Sequence, residues 1–130
     1  MKKILITGGF GILGTSLSTI LYKKKYKIFL LDRSKKKRKV FKAFGSKIKI
    51  IKGDFKNLNQ LKSIIKKIRV DTIIHLGAST QIMKSYKNPY DTFQTNIMGT
   101  INILEAIRTI NKNINVIFSS TVKAYGKMIN

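Results

Sequence analysis

At 130 residues, 43% of them hydrophobic and only one of them Pro, the chain is one modest domain with a core, which excludes disordered, collagen-like and low-complexity classes. No Cys and a single His exclude a disulfide framework and a thiolate metal site, no metal is expected, and a reducing compartment fits. The outlier is charge: 27 Lys and Arg against 5 Asp and Glu give +22, a surface that attracts polyanions at low salt whatever its function.

Met1-Lys2-Lys3 followed by an uncharged stretch to Tyr22 has the outline of a secretory signal, but Gly8, Gly9, Gly11 and Gly14 lower its helix propensity and hydrophobicity. The stretch divides better into a strand over Lys3 to Thr7, a Gly-rich turn, and a helix reaching Lys25 with Leu13, Leu17, Ile20 and Leu21 as its apolar face. Lys27 to Asp32 is a buried strand whose unbroken apolar run suits a parallel sheet covered on both faces. Ser34 to Lys39 is a solvated loop, and Val40, Phe41 and Phe44 form one apolar helical turn stopped by Gly45. Lys47 to Asp54 alternates as a strand near a sheet edge. Asn57 caps a helix that buries Leu58, Leu61, Ile64, Ile65 and Ile68 while Lys62, Lys66 and Lys67 meet water.

Val70 to Leu76 is the next strand and Gly77 to Lys87 a polar loop. Pro89 opens a long helix in which Phe93, Ile97, Ile101 and Leu104 mark the buried stripe, and Asn115 to Ser120 is the last strand. Strands alternating with helices at this spacing predict an α/β, Rossmann-like doubly wound parallel sheet of about five strands, ordered 3-2-1-4-5 because crossovers are right-handed.

Thr7-Gly8-Gly9-Phe10-Gly11-Ile12-Leu13-Gly14 sets glycines at 8, 11 and 14 between a strand and a helix. Such a turn lets the backbone approach a pyrophosphate and offers it the N–H groups of a helix N-terminus. Asp32 closes the second strand 18 residues beyond Gly14, where a carboxylate accepts from both hydroxyls of an adenosine ribose and repels a 2′-phosphate. NAD is therefore favoured over NADP, with Arg33 beside Asp32 the one feature that speaks for the second.

The TGGFGILG run resembles the TGxxGxxG signature of the short-chain dehydrogenase/reductase superfamily, and later segments resemble its extended branch, the nucleotide-sugar epimerases and dehydratases. Gly53-Asp54 is similar to the GD pair whose Asp contacts adenine, and His75-Leu76-Gly77-Ala78 to the HLAA segment along the cofactor. Asn88-Pro89, then Thr95-Asn96-Ile97-Met98-Gly99-Thr100 and on to Asn102, Leu104, Glu105 and Ala106, resembles NP…TNxxGTxNxLEA; Ser119 to Gly126 resembles SS[ST]xxVYG. The resemblance implies cofactor contacts from Gly8, Gly11, Ile12, Leu13, Gly14, Asp32, Arg33, Asp54, Phe55, Leu76, Gly77, Ala78 and Asn96. It places Thr121 at the catalytic Ser/Thr. His75 at a buried strand end reads as structural, and Asp71 and Glu105 as a strand-start and a helix-surface charge.

In the resembled enzymes a Tyr takes a hydroxyl proton while NAD takes hydride from the same sugar carbon, and a Lys four residues on lowers the Tyr pKa. No Tyr-x-x-x-Lys occurs here: Tyr22 has Tyr26 four residues on, and Tyr125 has Ile129. Dehydratases of the branch carry acids just after the Ser/Thr, where this chain has Val122 and Lys123, so epimerase-type or simple oxidoreductase chemistry fits as well. The expectation is an incomplete NAD-binding domain over 1–130, the first part of a longer cytoplasmic enzyme acting on a nucleoside-diphosphate sugar. Its last strand is an open edge that implies an oligomer or a missing C-terminal half. The alternatives are a basic nucleic-acid-binding protein on a Rossmann scaffold and a decayed gene product. The spread of the lysines without interleaved aromatics, and the abundance of Lys, Ile and Asn, favour A+T-rich coding over a nucleic-acid surface; neither a specific nucleic acid nor a membrane is expected as partner.

Overall fold

A computed structural model of the protein describes residues 1–33, 41 and 48–126. The elements run β1 (Lys3–Thr7), α1 (Ile12–Lys23), β2 (Lys27–Asp32), β3 (Ile48–Lys52), α2 (Leu58–Ile68), β4 (Thr72–His75), α3 (Ile82–Lys87) and α4 (Pro89–Phe93). A π-helical turn (Gln94–Met98), α5 (Gly99–Ile110), β5 (Asn115–Phe118) and a 3-10 turn (Val122–Tyr125) follow. The strands form one sheet in the order β3-β2-β1-β4-β5, as the alternation of elements predicts. Every pairing is parallel, with Lys3 opposite Lys27 and Thr7 opposite both Leu31 and His75.

Both sheet faces are covered, which is why β1 and β2 are apolar without alternation. On one face Leu5, Phe29, Leu31 and Ile73 pack with Leu61, Ile65 and Ile68 of α2 and Ile103, Ala106 and Ile107 of α5. On the other, Ile4, Ile6, Ile28, Leu30, Ile48 and Ile74 meet Phe10 and Phe41, whose rings stack at 5.6 Å. The α2 reading holds for its face, with Leu61, Ile65 and Ile68 buried, Leu58 and Ile64 partly buried, and Lys66 and Lys67 exposed while Lys62 is half-buried. Asn57 Oδ1 accepts from Gln60 N at 2.9 Å, and Arg69 ends the helix in the left-handed conformation.

Several expectations need correction. Leu13 and Ile20 of α1 face solvent, Leu17 and Leu21 are half-buried, and the residues in full contact with the sheet are Gly14 and Ser18. Gly14 is held against the glycine turn, where a Cβ would lie 2.7 Å from Gly8 O, while Leu17 and Leu21 pack against the sheet from the margin of the helix. It ends at Lys23, with Lys25 already at φ 63. The long helix from Pro89 is interrupted by its π turn, and Phe93, Ile97, Ile101 and Leu104 are exposed while Ile103, Ala106 and Ile107 are buried. Apolar residues occupy both sides of α5, and the small Gly99 and Ala106 mark the side that packs inward. The predicted loop 77–87 contains α3, which buries no residue and so has no periodic signature. The strands at 70–76 and 115–120 are shorter, Thr72–His75 and Asn115–Phe118. The readings of Ser34 to Lys39, Val40, Phe44, Gly45 and Lys47 lie outside the described residues. No helix among the described residues is long and apolar enough to cross a membrane.

All four residues of β5 are exposed. Ile74 of β4 and Ile117 of β5 are register partners, 5% and 56% accessible. Chemical denaturation should separate them: Ile74→Ala is expected to lose about 2–5 kcal/mol and Ile117→Ala less than about 1 kcal/mol. Equal losses would mean that β5 is covered in solution.

Candidate functional site

The strand order reverses direction between β1 and β4, and in an open parallel sheet the crevice beyond the strand C-termini at that point is where ligands bind. Gly8 leaves β1 there and Gly77 follows β4. Gly8 is at φ +67, and a Cβ on it would lie 2.8 Å from Gly77 Cα and N, so only glycine lets the two loops close together. Gly11 N donates to Gly8 O at 3.0 Å, tightening the turn, and Gly11 then begins α1. No side chain caps α1 and no acid lies in its first turn, so the positive end of the helix offers the N–H groups of Ile12, Leu13 and Gly14 toward the crevice. The Ile12 side chain itself is exposed. Gly14 is not in the lining of the clefts at this crevice. It brings α1 onto the turn, since a Cβ there would sit 2.7 Å from Gly8 O.

Two adjoining clefts occupy this crevice, of about 230 and 480 Å³. The first contains Gly8, Gly11, Asp32, Arg33, Phe55, Leu76, Gly77 and Ala78 of the predicted residues. Asp32 Oδ2 accepts from Phe10 N at 3.3 Å, which holds the carboxylate at the end of β2. Arg33 lines the cleft and lies 4.0 Å from Asp54, which is outside the lining and organises its own loop, its Oδ1 accepting from Lys56 N at 2.9 Å. Gly53 and Thr95 also line the first cleft and were not among the predicted contacts. Gly53 belongs to the same GD pair as Asp54, so its signal was present. Thr95, buried on the π turn, had no signal apart from standing next to Asn96.

The second cleft shares Leu76, Gly77 and Ala78 with the first and adds Leu13, Asn96 and Ser119 to Thr121. Asn96 and Thr121, 25 positions apart in sequence, are thus brought to one cavity. The Asn96 side chain is committed to the loop after β4: Oδ1 accepts from Ser79 N at 2.7 Å and Nδ2 donates to Ser79 O at 3.0 Å. It therefore fixes that loop in place. His75, at the cleft floor, is 3% accessible; its Nδ1 lies 2.5 Å from Thr7 Oγ1 and its ring stacks on Phe118. Burial lowers its pKa from 6.5 to about 4, so the imidazole is neutral at pH 7, in keeping with a structural role. Asp71 accepts from Lys3 N at 2.7 Å at the start of the strands, and Glu105 pairs with Arg108 on the α5 surface.

The crevice thus brings together the start of α1, Asp32 and Thr121. Comparison with known proteins bears on the family and the fold. The chain is 34% identical to CDP-paratose 2-epimerase of Salmonella typhi over 97% of its own length and 38% of that protein's. It is 28% identical to UDP-glucose 4-epimerase of Mycoplasma genitalium over 98% and 38%. It therefore spans a little over a third of the length of either of these relatives. Among solved structures, the UDP-Glc/GlcNAc 4-epimerase of Campylobacter jejuni superposes with a TM-score of 0.86 at 27% identity, covering 97% of this chain and 39% of that one. UDP-glucose 4-epimerase of Brucella ovis in complex with NAD, at 24% identity and a TM-score of 0.82, shares the fold. The resemblance in the motifs is upheld, and because the sequence profile of the GDP-mannose 4,6 dehydratase family matches residues 5–130, the chain belongs to that family.

Proposed function

We propose that residues 1–130 are the NAD-binding part of a cytoplasmic nucleoside-diphosphate-sugar epimerase or dehydratase that works by transient hydride transfer. The observation that carries the reading is the convergence of an uncapped helix N-terminus, a left-handed Gly8 and the Asp32 carboxylate on one cleft. The amides of Ile12, Leu13 and Gly14 hold the pyrophosphate, Asp32 accepts from the adenosine ribose, and Gly53, Phe55 and Thr95 enclose the adenine end, with Arg33 and Asp54 at its rim. Leu76, Gly77 and Ala78 run beside the dinucleotide, and Asn96 keeps their loop in register. Bound NAD would supply the hydride acceptor. Thr121 hydrogen-bonds the sugar oxygen from which a proton is lost, and the base and its Lys are not among these residues, so this stretch alone binds cofactor without turning over substrate.

Thermal denaturation with added dinucleotide tests this. NAD at about 100 times its Kd is expected to stabilise the fold by about 2.7 kcal/mol, with NADP giving less because Asp32 faces its 2′-phosphate. No shift at millimolar NAD would sink the reading, and a larger shift with NADP would reassign Arg33 as the discriminating residue.

A further inference from the structure

The ring of Phe55 occupies the space of two missing methyl groups at once. A Cβ on Gly77 would overlap Cε1 of Phe55, and the three heavy atoms nearest to it all belong to that ring; a Cβ on Gly99 would overlap Cε2, on the opposite edge, again with only Phe55 atoms nearest. Gly77 in turn has Gly8 against its other side. The order across the site is therefore Gly8, Gly77, Phe55, Gly99: a glycine turn, the loop after β4, an aromatic ring and the start of α5.

Two features prevent the ring from retreating. Asn102, on α5 three residues beyond Gly99, donates through Nδ2 to the backbone oxygens of Phe55 at 3.3 Å and Lys56 at 2.7 Å. Lys56 Nζ is held 3.0 Å from Asp91, which also pairs with Lys84 at 3.2 Å. The loop that carries Phe55 is thus tied to α4 and α5, and the ring is 8% accessible, with its edge against His75 at a centroid distance of 5.0 Å.

We infer that Phe55 is a positioning residue: a spacer that takes the place of side chains at 77 and 99, sets the separation between the loop after β4 and the glycine turn, and thereby sets the width of the dinucleotide cleft. The cofactor part of this rests on the NAD reading above; the volume exchange does not. Gly77 has no positive φ, so an alanine there meets a steric objection alone, and that objection comes from Phe55.

The test is a double-mutant cycle of Gly77→Ala, Phe55→Leu and both together, reading NAD affinity by calorimetry and the melting temperature of the ligand-free protein. Gly77→Ala alone is expected to weaken NAD binding about tenfold or more and to lower the melting temperature, and the addition of Phe55→Leu to restore affinity to within about threefold of the wild type. If Gly77→Ala does not fold, a double variant that folds and binds NAD supports the inference and one that stays unfolded overturns it. Additive losses, or wild-type behaviour of Gly77→Ala, overturn it while leaving the NAD reading intact. Wild-type protein that does not bind NAD overturns the NAD reading and the cofactor role with it, and the melting temperatures then decide the volume exchange independently.

Discussion

Gly8→Ala is expected to destabilise the protein by about 3 kcal/mol or more and to abolish dinucleotide binding, whereas Gly11→Ala should abolish binding at a cost in stability below about 1 kcal/mol. The two glycines belong to one motif and differ in what surrounds them. At Gly8 the backbone sits at φ +67, which costs an L-residue about 1–2 kcal/mol, and the added Cβ would lie 2.8 Å from backbone atoms of Gly77 that no rotamer change can move. Overpacking of this kind adds about 1–3 kcal/mol. At Gly11 φ is −67, an ordinary value, and the nearest atom to a new Cβ is Gly8 O at 3.3 Å. The methyl would instead project at the mouth of the first cleft, where a pyrophosphate must approach the start of α1. Urea denaturation and NAD calorimetry on the two variants separate the roles. Equal stabilities would show that the Gly8 turn relaxes, and wild-type NAD affinity in Gly11→Ala would move the ligand away from the helix end.

The same contrast explains what could be read from the sequence. Strand identity and order were legible because β1, β2 and β4 are short apolar runs bounded by turn residues, and only one handedness of crossover joins them. The α2 face was legible because its apolar and lysine positions segregate cleanly. The run from Pro89 through α5 offered two apolar stripes, and large size proved a poor guide: Phe93, Ile97, Ile101 and Leu104 form the outward one, while Gly99 and Ala106 lie where α5 packs closely. α1 repeats the lesson, with Gly14 and Ser18 inside and Leu13 and Ile20 outside. In both cases the inward side is decided by what the helix packs against, a tertiary property that no local pattern encodes.

For the site, residues that act through backbone conformation or a strand-end carboxylate were legible: Gly8, Gly11, Asp32, Gly77 and Ala78 all meet at the crevice. Asn96 was legible as a site residue and lines the second cleft, and its hydrogen bonds add that it also holds Ser79 in place. Thr95 and the dual packing of Phe55 were not legible, because each depends on which residues two separate loops bring together.

Lowering the pH from 7 to 5 is expected to reduce the stability of the wild-type protein by about 2 kcal/mol, and His75→Gln should flatten most of that slope. The imidazole is enclosed by Thr7, Phe55 and Phe118, and its burial lowers the pKa from 6.5 to about 4. The unfolded chain therefore takes up a proton near pH 6.5 while the folded one refuses it until about pH 4. Stability from this group is complete above pH 6.5, declines as pH falls through the interval, and stops declining below about 4, for a total of about 3 kcal/mol. Asp91 and Glu105, whose pKa values are lowered by Lys56 and Arg108 respectively, lose their contributions from the ordinary carboxylate pKa downward, so the interval from pH 7 to 5 is dominated by the histidine. His75→Gln retains a hydrogen-bonding group for Thr7 and loses the titration together with the ring contacts, so it should be the less stable protein at pH 7 and the flatter one toward pH 5. Parallel slopes in the two proteins would mean that the imidazole is hydrated in solution, and that the cleft floor between β4 and β5 opens to water.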